Sequence, residues 1–299
     1  MVLSHCYTWL NDRLGVGFFA SHSATSTGVN AVAFYFRDVE NARTFLEAHP
    51  MLELADGTAS IAYSSPNHDG AWQSEDFLGV CNLYSMTTSQ AAITDLIKVW
   101  KDSTGNLPVL TGIYPDYSAP VIRNTDQGRQ LVNMRWGMPS PAFALKNRNA
   151  DSGITNIRNT SSPYWRRWLS VQHRCLVPFN SFSEYEKKTG QPAAPIWFAL
   201  NETRPLAFFA GIWTSWTSVR KVKEGETTND LFGFLTTDAN GVVAPIHPKA
   251  MPVILNHPDQ WETWLNAPPD AALALQKPLP DDALQIVATG KPSDGTTSK

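Results

Sequence analysis

From residue 81 onward the chain consists of short apolar runs that proline and glycine interrupt. Examples are "LPVLTGIYP", "RQLVNMRWGMP", "PLAFFAGIW" and "MPVILN". Runs that allow strands of about five to seven residues, bounded by turn formers, are typical of antiparallel sheets. They do not alternate with long helical segments, as strands of a parallel sheet would. We therefore predict an α+β fold in which a mainly antiparallel β-sheet curls into a barrel, with a few flanking helices.

Helical signals in this part of the chain are confined to three segments. They are "TTSQAAITDLIKVWKD", "SPYWRRWLS" and "PDQWETWLN". In the first, a threonine precedes apolar residues at helical spacing and is the predicted N-cap. These segments are the expected flanking helices.

The first 79 residues have a different composition and a different pattern. "NAVAFYF" predicts a strand, "DVENARTFLEAH" a helix capped by Asp38, and "MLELADGTASIAYS" a hairpin that turns at Asp56 and Gly57. The polar stretch "SSPNHDGAWQSEDFLG" that follows is typical of a linker.

We predict three regions from these patterns. Residues 1–79 form an acidic N-terminal extension, a small α/β unit plus a linker, which is a cleaved leader or the product of a start assigned too early. Residues 80–290 form the main domain. Residues 291–299 form a disordered tail.

The charge is divided in the same way. Residues 1–79 hold three arginines and nine acidic residues, whereas residues 81–299 hold 21 basic and 18 acidic residues. Within the second part, residues 123–188 contain eleven basic and four acidic residues. A basic stretch of this kind indicates either a binding surface for a polyanion such as nucleic acid or a solvated basic face.

The composition also excludes several classes of protein. A hydrophobic fraction of 42% and 11 tryptophans are typical of a globular protein. The chain lacks an uninterrupted apolar run of membrane-spanning length and a secretory signal at its start, so we expect a cytoplasmic protein. Three cysteines without paired spacing predict neither a disulfide framework nor a zinc site.

Cys81 is the residue whose chemistry depends most on its position. An internal cysteine with no cationic neighbour is usually a small buried hydrophobe. A cysteine at the chain start instead carries a free α-amine beside its thiol. That pair can trap an aldehyde twice, because the amine forms an imine and the thiolate then closes a five-membered thiazolidine ring.

Two routes can make Cys81 the first residue. Val80 can be a GTG initiator codon read as valine, after which the initiator methionine is removed. Alternatively the chain cleaves its own Val80–Cys81 bond, with the thiol as the nucleophile.

Six motifs in this order and spacing resemble one protein family. They are "CNLYSMT", "RWGMPSP", "NIRNTSSPYWRRWL", "RCLVPFNSFSEYEK", "FAGIW" and "IHPKAMPVIL". The chain resembles the SRAP family, the SOS response-associated peptidase-like proteins that process abasic sites, over residues 81 to about 265. The resemblance implies the barrel-like SRAP fold and covalent capture of the ring-opened abasic sugar in single-stranded DNA, with no metal and no cofactor.

The resemblance implies roles for five residues. The terminal cysteine that forms the thiazolidine matches Cys81, and the Asn-x-Arg pair matches Asn156 and Arg158. The glutamate after the RC-x-x-P segment matches Glu184, and the histidine before Met-Pro matches His247. Glu184 shares a strand face with Phe182, where burial can raise its pKa and suit it to proton transfer; an exposed edge-strand position is the alternative. Asn156 can instead cap a turn or helix, and His247 can be structural.

Further residues are candidates for contacts with DNA. Trp136 and Tyr164 or Trp165 can stack on unstacked bases, although most tryptophans of a globular domain pack in its core. Arg166 and Arg167 can contact phosphates, and Lys249 stands roughly where the family has an arginine.

The chain departs from the family pattern in three places. Asn82 and Leu83 follow Cys81, whereas the family commonly has Gly-Arg there. His247 stands four residues before Met251 rather than three, which implies an extra residue in that loop. The family's glutamate usually stands in an aromatic-Glu-Trp setting, whereas the segment here is "SEYEK". Glu186 is therefore a weaker competitor for the role of Glu184.

The sequence thus predicts a monomeric DNA-damage-response protein that crosslinks to abasic sites in single-stranded DNA. Autopeptidase activity at residue 81 and AP-lyase activity are associated possibilities. One alternative is a cysteine peptidase that uses Cys81 with His247 and Asn156. The other is a non-catalytic binder of single-stranded DNA.

Overall fold

The chain divides into two compact units, Met1–Phe77 and Leu78–Lys299. A computed structural model describes Cys6, Trp9, Leu10, Arg13 and residues 19–26, 29–36, 44–45, 47–49, 82–146, 148–186 and 194–294, with the backbone alone for 19–26, 29–36 and Glu186. The predicted hairpin and linker between residues 51 and 80 lie outside the described residues, as does Cys81.

The described part of the first unit is built on a β-hairpin. Strands β1 (Phe19–Ser26) and β2 (Val29–Phe36) pair antiparallel. β2 contains the predicted strand "NAVAFYF". β1 was not predicted, because its sequence "FASHSATS" is rich in small and polar residues.

The second unit contains fourteen described strands. They are β3 (Leu83–Met86), β4 (Lys101–Asp102), β5 (Leu110–Ile113), β6 (Ser118–Thr125), β7 (Gly128–Trp136), β8 (Asn156–Ile157), β9 (Arg174–Phe179), β10 (Ser181–Glu186), β11 (Ala194–Ala199), β12 (Ala207–Val219), β13 (Glu226–Thr237), β14 (Met251–Pro252), β15 (Ile254–Leu255) and β16 (Gln285–Thr289).

Five of these strands form a closed barrel, as predicted. Neighbours in the order β13-β12-β9-β6-β7 pair antiparallel. The ring closes where β7 pairs parallel with β13: Arg135 and Trp136 of β7 lie opposite Leu231 and Phe232 of β13. Closure removes the free edges that an open sheet would present to other chains.

A second sheet packs against the barrel. Its order is β16-β11-β10-β3-β5, with antiparallel pairing throughout. Tyr84 of β3 points into the barrel, where its ring centroid lies 5.1 Å from Trp136, 5.7 Å from Phe209 and 6.2 Å from Phe234. These aromatic rings form a shared core, and burial of their apolar surface holds the sheet on the barrel.

Helices flank the strands at the predicted places. They are α1 (Gln90–Ile97), α2 (Pro163–Arg166), α3 (Pro258–Asn266) and a short α4 (Pro269–Leu273) that was not predicted. Ser89, rather than a threonine, caps α1, since its hydroxyl accepts a hydrogen bond from the amide of Ala92. Within the described ranges no helix has the length and hydrophobicity needed to cross a membrane.

The segment after β16 belongs to the folded unit as far as Asp294. The carbonyl of Lys291 accepts a hydrogen bond from Trp197 Nε1 (2.8 Å). The buried carboxylate of Asp294 accepts hydrogen bonds from Ser181 Oγ and Arg204 Nε, both at 2.6 Å. These contacts place residues 291–294 in the domain rather than in the predicted tail, and residues 295–299 lie outside the described residues.

A buried arginine braces the barrel closure. The side chain of Arg220 is fully buried and donates to the carbonyls of Gly137 (3.1 Å) and Ser152 (3.2 Å) and to Asp116 (3.2 Å). Gly153 has a φ of +77°, and a Cβ there would clash with Arg220 Nη1. The absence of a side chain at Gly153 therefore makes room for the guanidinium.

We expect Gly153→Ala to destabilise the protein more than a glycine substitution in open space. The matched control is Gly105→Ala, where φ is +72° and no atom lies within 4 Å of the added Cβ. Both substitutions carry a positive-φ penalty of about 1–2 kcal/mol. Gly153→Ala should cost about 1–3 kcal/mol more, because the buried guanidinium must shift. Urea unfolding of the two variants measures the difference, and equal losses would contradict the proposed packing.

Candidate functional site

The candidate site lies at the start of β3. Leu83 pairs with Ser183 of β10, so continuing the register by one residue brings Asn82 level with Glu184. Glu184 is only 3% exposed and lies on a strand with β11 on one side and β3 on the other. Its carboxylate is therefore buried in the interior of a sheet rather than exposed on an edge strand.

Cys81 itself lies outside the described residues, but the chain fixes its distance from them. It is bonded to Asn82, so the two Cα atoms are about 3.8 Å apart. The neighbours of Asn82 consequently define the surroundings available to Cys81.

Thr155, just before β8, contacts Asn82 directly, and Asn156, in β8, is linked to Asn82 through Thr155. Thr155 Oγ1 lies 3.1 Å from Asn82 Oδ1, and Asn156 Nδ2 lies 2.9 Å from Thr155 Oγ1. Asn156 Oδ1 is buried and has no hydrogen-bond partner among the described residues. Asn156 thus lies in a strand paired with β13, not at the turn or helix cap that was the alternative, and Ser162 caps α2 instead.

His247 is half-buried in the loop before β14. Its Nδ1 lies 3.2 Å from the carbonyl of Ala250. A carbonyl can only accept, so Nδ1 carries a proton and donates it to this hydrogen bond. β14 pairs with Thr236 and Thr237, and β8 with Phe234 and Leu235, so the His247 loop and Asn156 are both positioned by the end of β13.

Arg158 is exposed and forms an ion pair with Asp238. Its backbone is also fixed, since its carbonyl accepts a hydrogen bond from Gln276 Nε2 (2.9 Å). The guanidinium is therefore available at the surface but shared with a carboxylate.

Helix α2 is tied to the segment that leads to Thr155. Tyr164 OH donates to the carbonyl of Pro139 (2.8 Å), and the neighbouring Met138 forms a bridge with Ile154. Burial raises the pKa of Tyr164 to about 12, against a smaller lowering effect of Arg167. Arg167 lies over the Tyr164 ring, 4.6 Å from its centroid.

Two of the aromatic residues predicted to stack on bases are buried. Trp136 is completely buried, and its Nε1 donates to the carbonyl of Thr155 (3.4 Å). Trp165 is 9% exposed. Their rings offer little or no surface to a base, so both are core residues, and Tyr164 is the one of the three that stays partly exposed.

Besides Arg158, three of the eight arginines in the basic stretch pair with carboxylates. Arg123 pairs with Asp230, Arg129 with Glu262, and Arg135 with Asp116 and Glu224. The exposed cations of this stretch that form no ion pair in the part of the chain that the structure describes are Lys146, Arg148, Arg166 and Arg167. The surface available to a polyanion is therefore smaller than the residue count predicts.

The described residues hold no group of three His, Cys, Asp or Glu side chains arranged for a metal ion. Cys6 and Cys175 are free and buried. Burial raises the pKa of the Cys175 thiol, so this cysteine stays protonated and is a poor nucleophile.

Sequence reasoning missed three residues of the site. Thr155 and Asp238 carry no recognisable signal, because each acts through a partner more than 70 residues away in the chain. Asn82 was noticed only as a departure from a family pattern.

The family model for SOS response associated peptidase (SRAP) matches residues 80–291. The abasic site processing protein YoaM of Bacillus subtilis is 28% identical over 179 residues, which cover 58% of this chain and 74% of YoaM. The abasic site processing protein YoqW of Bacillus phage SPbeta is 28% identical over 181 residues, 58% of this chain and 75% of YoqW.

Two solved structures share the fold. A protein from Bacteroides thetaiotaomicron aligns with a TM-score of 0.54 and 21% identity, covering 69% of this chain and 90% of its own. A protein from Bordetella bronchiseptica aligns with a TM-score of 0.54 and 21% identity, covering 70% of this chain and 98% of its own. The second protein consists almost wholly of the part that matches.

The carboxyl of Asp116, which pairs with the buried guanidinium of Arg220, should make the free energy of unfolding depend on pH. Burial alone would raise the pKa of its carboxyl, but hydrogen bonds from Arg135, Lys221 and Arg220 outweigh burial and lower the pKa to about 2. A lowered pKa gives stability that is present above the unfolded value and is lost as the pH falls toward 2.

We therefore expect Asp116→Asn to be destabilised relative to the parent at pH 6 and to lose that difference progressively below pH 4, as measured by urea midpoints. Asp126→Asn, at an exposed turn position, provides the baseline. A difference between parent and Asp116→Asn that stays constant down to pH 2.5 would rule out this role.

Proposed function

The chain belongs to the SOS response associated peptidase (SRAP) family, and from that premise we propose that it processes abasic sites in DNA. We propose further that it acts on single strands and forms a covalent thiazolidine with the ring-opened abasic sugar through Cys81 as the N-terminal residue. The names of its relatives from Bacillus subtilis and phage SPbeta support the first statement.

One observation carries the proposed chemistry. A buried carboxylate, Glu184, is level with Asn82 when the register of β3 and β10 is continued by one residue. A buried acceptor that has no partner among the described residues, Asn156 Oδ1, is linked to Asn82 through two hydrogen bonds. Both groups therefore surround the residue next to Cys81. A positioned carboxyl group can transfer the protons that condensation of an amine with an aldehyde requires, and an acceptor can orient the amine.

The first step is opening of the abasic sugar. The hydroxyl proton at C1 leaves, the C1–O4 bond breaks to give the aldehyde, and O4 takes up a proton. His247 is the proposed base, because its position before Met-Pro matches the histidine of the family, its Nδ1 is held by the carbonyl of Ala250, and imidazole is a base near neutral pH.

The second step joins the α-amine of Cys81 to the aldehyde. The amine adds to C1, and one of its protons passes to the former aldehyde oxygen. A proton from Glu184 then helps this hydroxyl leave as water, and Glu184 regains a proton from the nitrogen as the imine forms. Asn156 Oδ1 accepts a hydrogen bond from the amine and so orients it.

The third step closes the ring. The thiolate of Cys81 adds to the imine carbon, forming the C–S bond, and the nitrogen takes a proton. The overall reaction loses one molecule of water and needs no oxidant or cofactor. The resulting crosslink protects the abasic site from strand scission.

The charged surface residues are the proposed DNA contacts. Arg158, Arg166, Arg167 and Lys249 hold phosphates that flank the lesion, and Tyr164 lies under Arg167. All proposed groups come from one chain, so a monomer suffices, and we place it in the cytoplasm with the DNA it acts on.

Removal of residues 1–80 is part of this proposal, because an internal cysteine has only an amide nitrogen. A translation start at Val80 or self-cleavage of the Val80–Cys81 bond supplies the terminus. The family's description as a peptidase favours self-cleavage and supports a second candidate function, a cysteine peptidase that uses Cys81 with His247.

The first experiment is intact mass and N-terminal sequencing of protein expressed from its native gene. The product is then incubated with an oligonucleotide carrying one abasic site and run on a denaturing gel. A chain that begins at Cys81 and gives a heat-stable adduct supports the proposal. A chain that keeps residues 1–79, gives no adduct and cleaves unrelated peptides supports the peptidase instead.

Cys81→Ser should abolish the adduct and leave weak, salt-sensitive binding to single-stranded DNA. Glu184→Gln should slow adduct formation by about 100-fold or more, the usual contribution of a general acid. The matched control is Glu202→Gln at an exposed position. Adduct formation by Cys81→Ser at the parental rate would exclude the aminothiol mechanism.

Asp238→Asn should strengthen binding of single-stranded DNA, because it releases Arg158 from its ion pair. The expected gain is up to about 5-fold in Kd, which corresponds to an exposed ion pair. Asp282→Asn makes the same charge change at another exposed position and gives the control. In the Arg158→Ala background the gain should disappear; an equal gain there would mean that Asp238 does not act through Arg158.

A further inference from the structure

The side chains of Asn156, Thr155 and Asn82 form a chain of hydrogen bonds whose direction is determined. Asn82 Oδ1 can only accept, so the Thr155 hydroxyl donates its proton to it across 3.1 Å. The same hydroxyl accepts from Asn156 Nδ2 at 2.9 Å. The chain therefore runs from the amide of Asn156 through Thr155 to Asn82.

This direction fixes the orientation of the Asn156 amide. Its NH₂ group faces Thr155, and its Oδ1 faces the opposite way. That oxygen is buried and has no donor within the described ranges. A buried acceptor left without a donor is unfavourable, and a catalytic role is one of the reasons for which folded proteins retain such a group.

Asn82 is held from two sides. Its side chain accepts the hydrogen bond from Thr155, and the next residue, Leu83, is paired with Ser183 in the sheet. The torsions of Asn82 itself are then the main freedom left between the sheet and Cys81. A fixed Asn82 limits where the amine and thiol of Cys81 can lie.

We propose that Thr155 and Asn82 are positioning residues for the Cys81 terminus: Thr155 fixes the orientation of the Asn156 amide and at the same time holds Asn82, the residue to which Cys81 is bonded. This inference rests on the proposed function. The role depends on the hydroxyl of Thr155 and not on the fold. Both residues are positioning rather than catalytic residues, because the proposed mechanism gives neither a contact with the sugar.

The hydroxyl of Thr155 can be removed without removing the backbone contacts of the residue. Its carbonyl accepts hydrogen bonds from Phe234 N (3.2 Å) and Trp136 Nε1 (3.4 Å). Both remain available in Thr155→Val, which has nearly the same shape. Thr155→Ser keeps the hydroxyl and loses only a methyl group.

The test is single-turnover crosslinking of chains that begin at Cys81. These chains comprise nearly all of the compact unit Leu78–Lys299, and a solved relative consists almost wholly of the matching part. The probe is an oligonucleotide with one abasic site, and the rate is followed over a range of oligonucleotide concentrations. Thr155→Val should lower the saturating rate by about 10- to 100-fold, the effect of misplacing a reacting group, while the half-saturating concentration stays unchanged.

Three comparisons separate positioning from a general structural effect. Thr155→Ser should restore the rate to nearly the parental value. Asn82→Ala should slow the reaction as Thr155→Val does, and the double variant should be no slower than the slower single variant, because both break one chain of contacts. Thr217→Val, which removes an exposed hydroxyl pair with Thr228, should react like the parent.

The outcomes distinguish this inference from the proposed function. Adduct formation by the parent together with a parental rate in Thr155→Val overturns the positioning role and leaves the proposed function intact. If the parent forms no adduct, the proposed function fails. The hydrogen-bond chain is then tested by the side-chain amide NMR signal of Asn156, identified by its absence in Asn156→Asp. That signal should shift in Thr155→Val and not in Thr217→Val, and an unshifted signal overturns the inference.

Discussion

The parallel pairing of β7 with β13 is the constraint on which the site depends. It closes the barrel at Trp136 and Phe232 and leaves the last residues of β13 to pair with β8 and β14. Asn156 lies in β8, and the His247 loop leads into β14, so one strand sets the position of both. Side chains alternate between the faces of a strand, so a slip of one residue along β13 would turn Asn156 away from Asn82.

Several arginines of this domain are buried or paired with carboxylates, so their charge is not available at the surface. Arg220 lies fully buried beside Asp116 and two backbone carbonyls, and Arg174 donates to the carbonyls of Leu169 and Trp264. Carboxylates also neutralise Arg123, Arg129 and Arg135. A local count of basic residues therefore overstates the potential that a polyanion meets, because the count ignores carboxylates that the fold brings in from distant segments.

The sequence predicted the barrel and three of the four described helices of the second unit, because strand length, turn formers and helical spacing are local properties. It could not predict contacts that form across the fold. The pairing of Arg158 with Asp238 and of Thr155 with Asn82 depends on strands that are distant in the chain. Trp136 was placed at a DNA surface because a tryptophan in a motif offers a stacking ring, but the closed barrel buries it completely.

The chemistry proposed for Cys81 requires a chain start that lies close in sequence to the boundary between the two compact units. Condensation with an aldehyde requires a free amine, so one peptide bond before Cys81 must be absent. The boundary between the two compact units falls after Phe77 in the sequence, and the pairing of β3 begins at Leu83. A chain that starts at Cys81 therefore keeps every strand pair that the structure describes in the second unit. Its first residue is then two positions along the chain before Leu83, the first paired residue of β3, so the hydrogen bonds of that strand restrict how far the proposed amine and thiol can move.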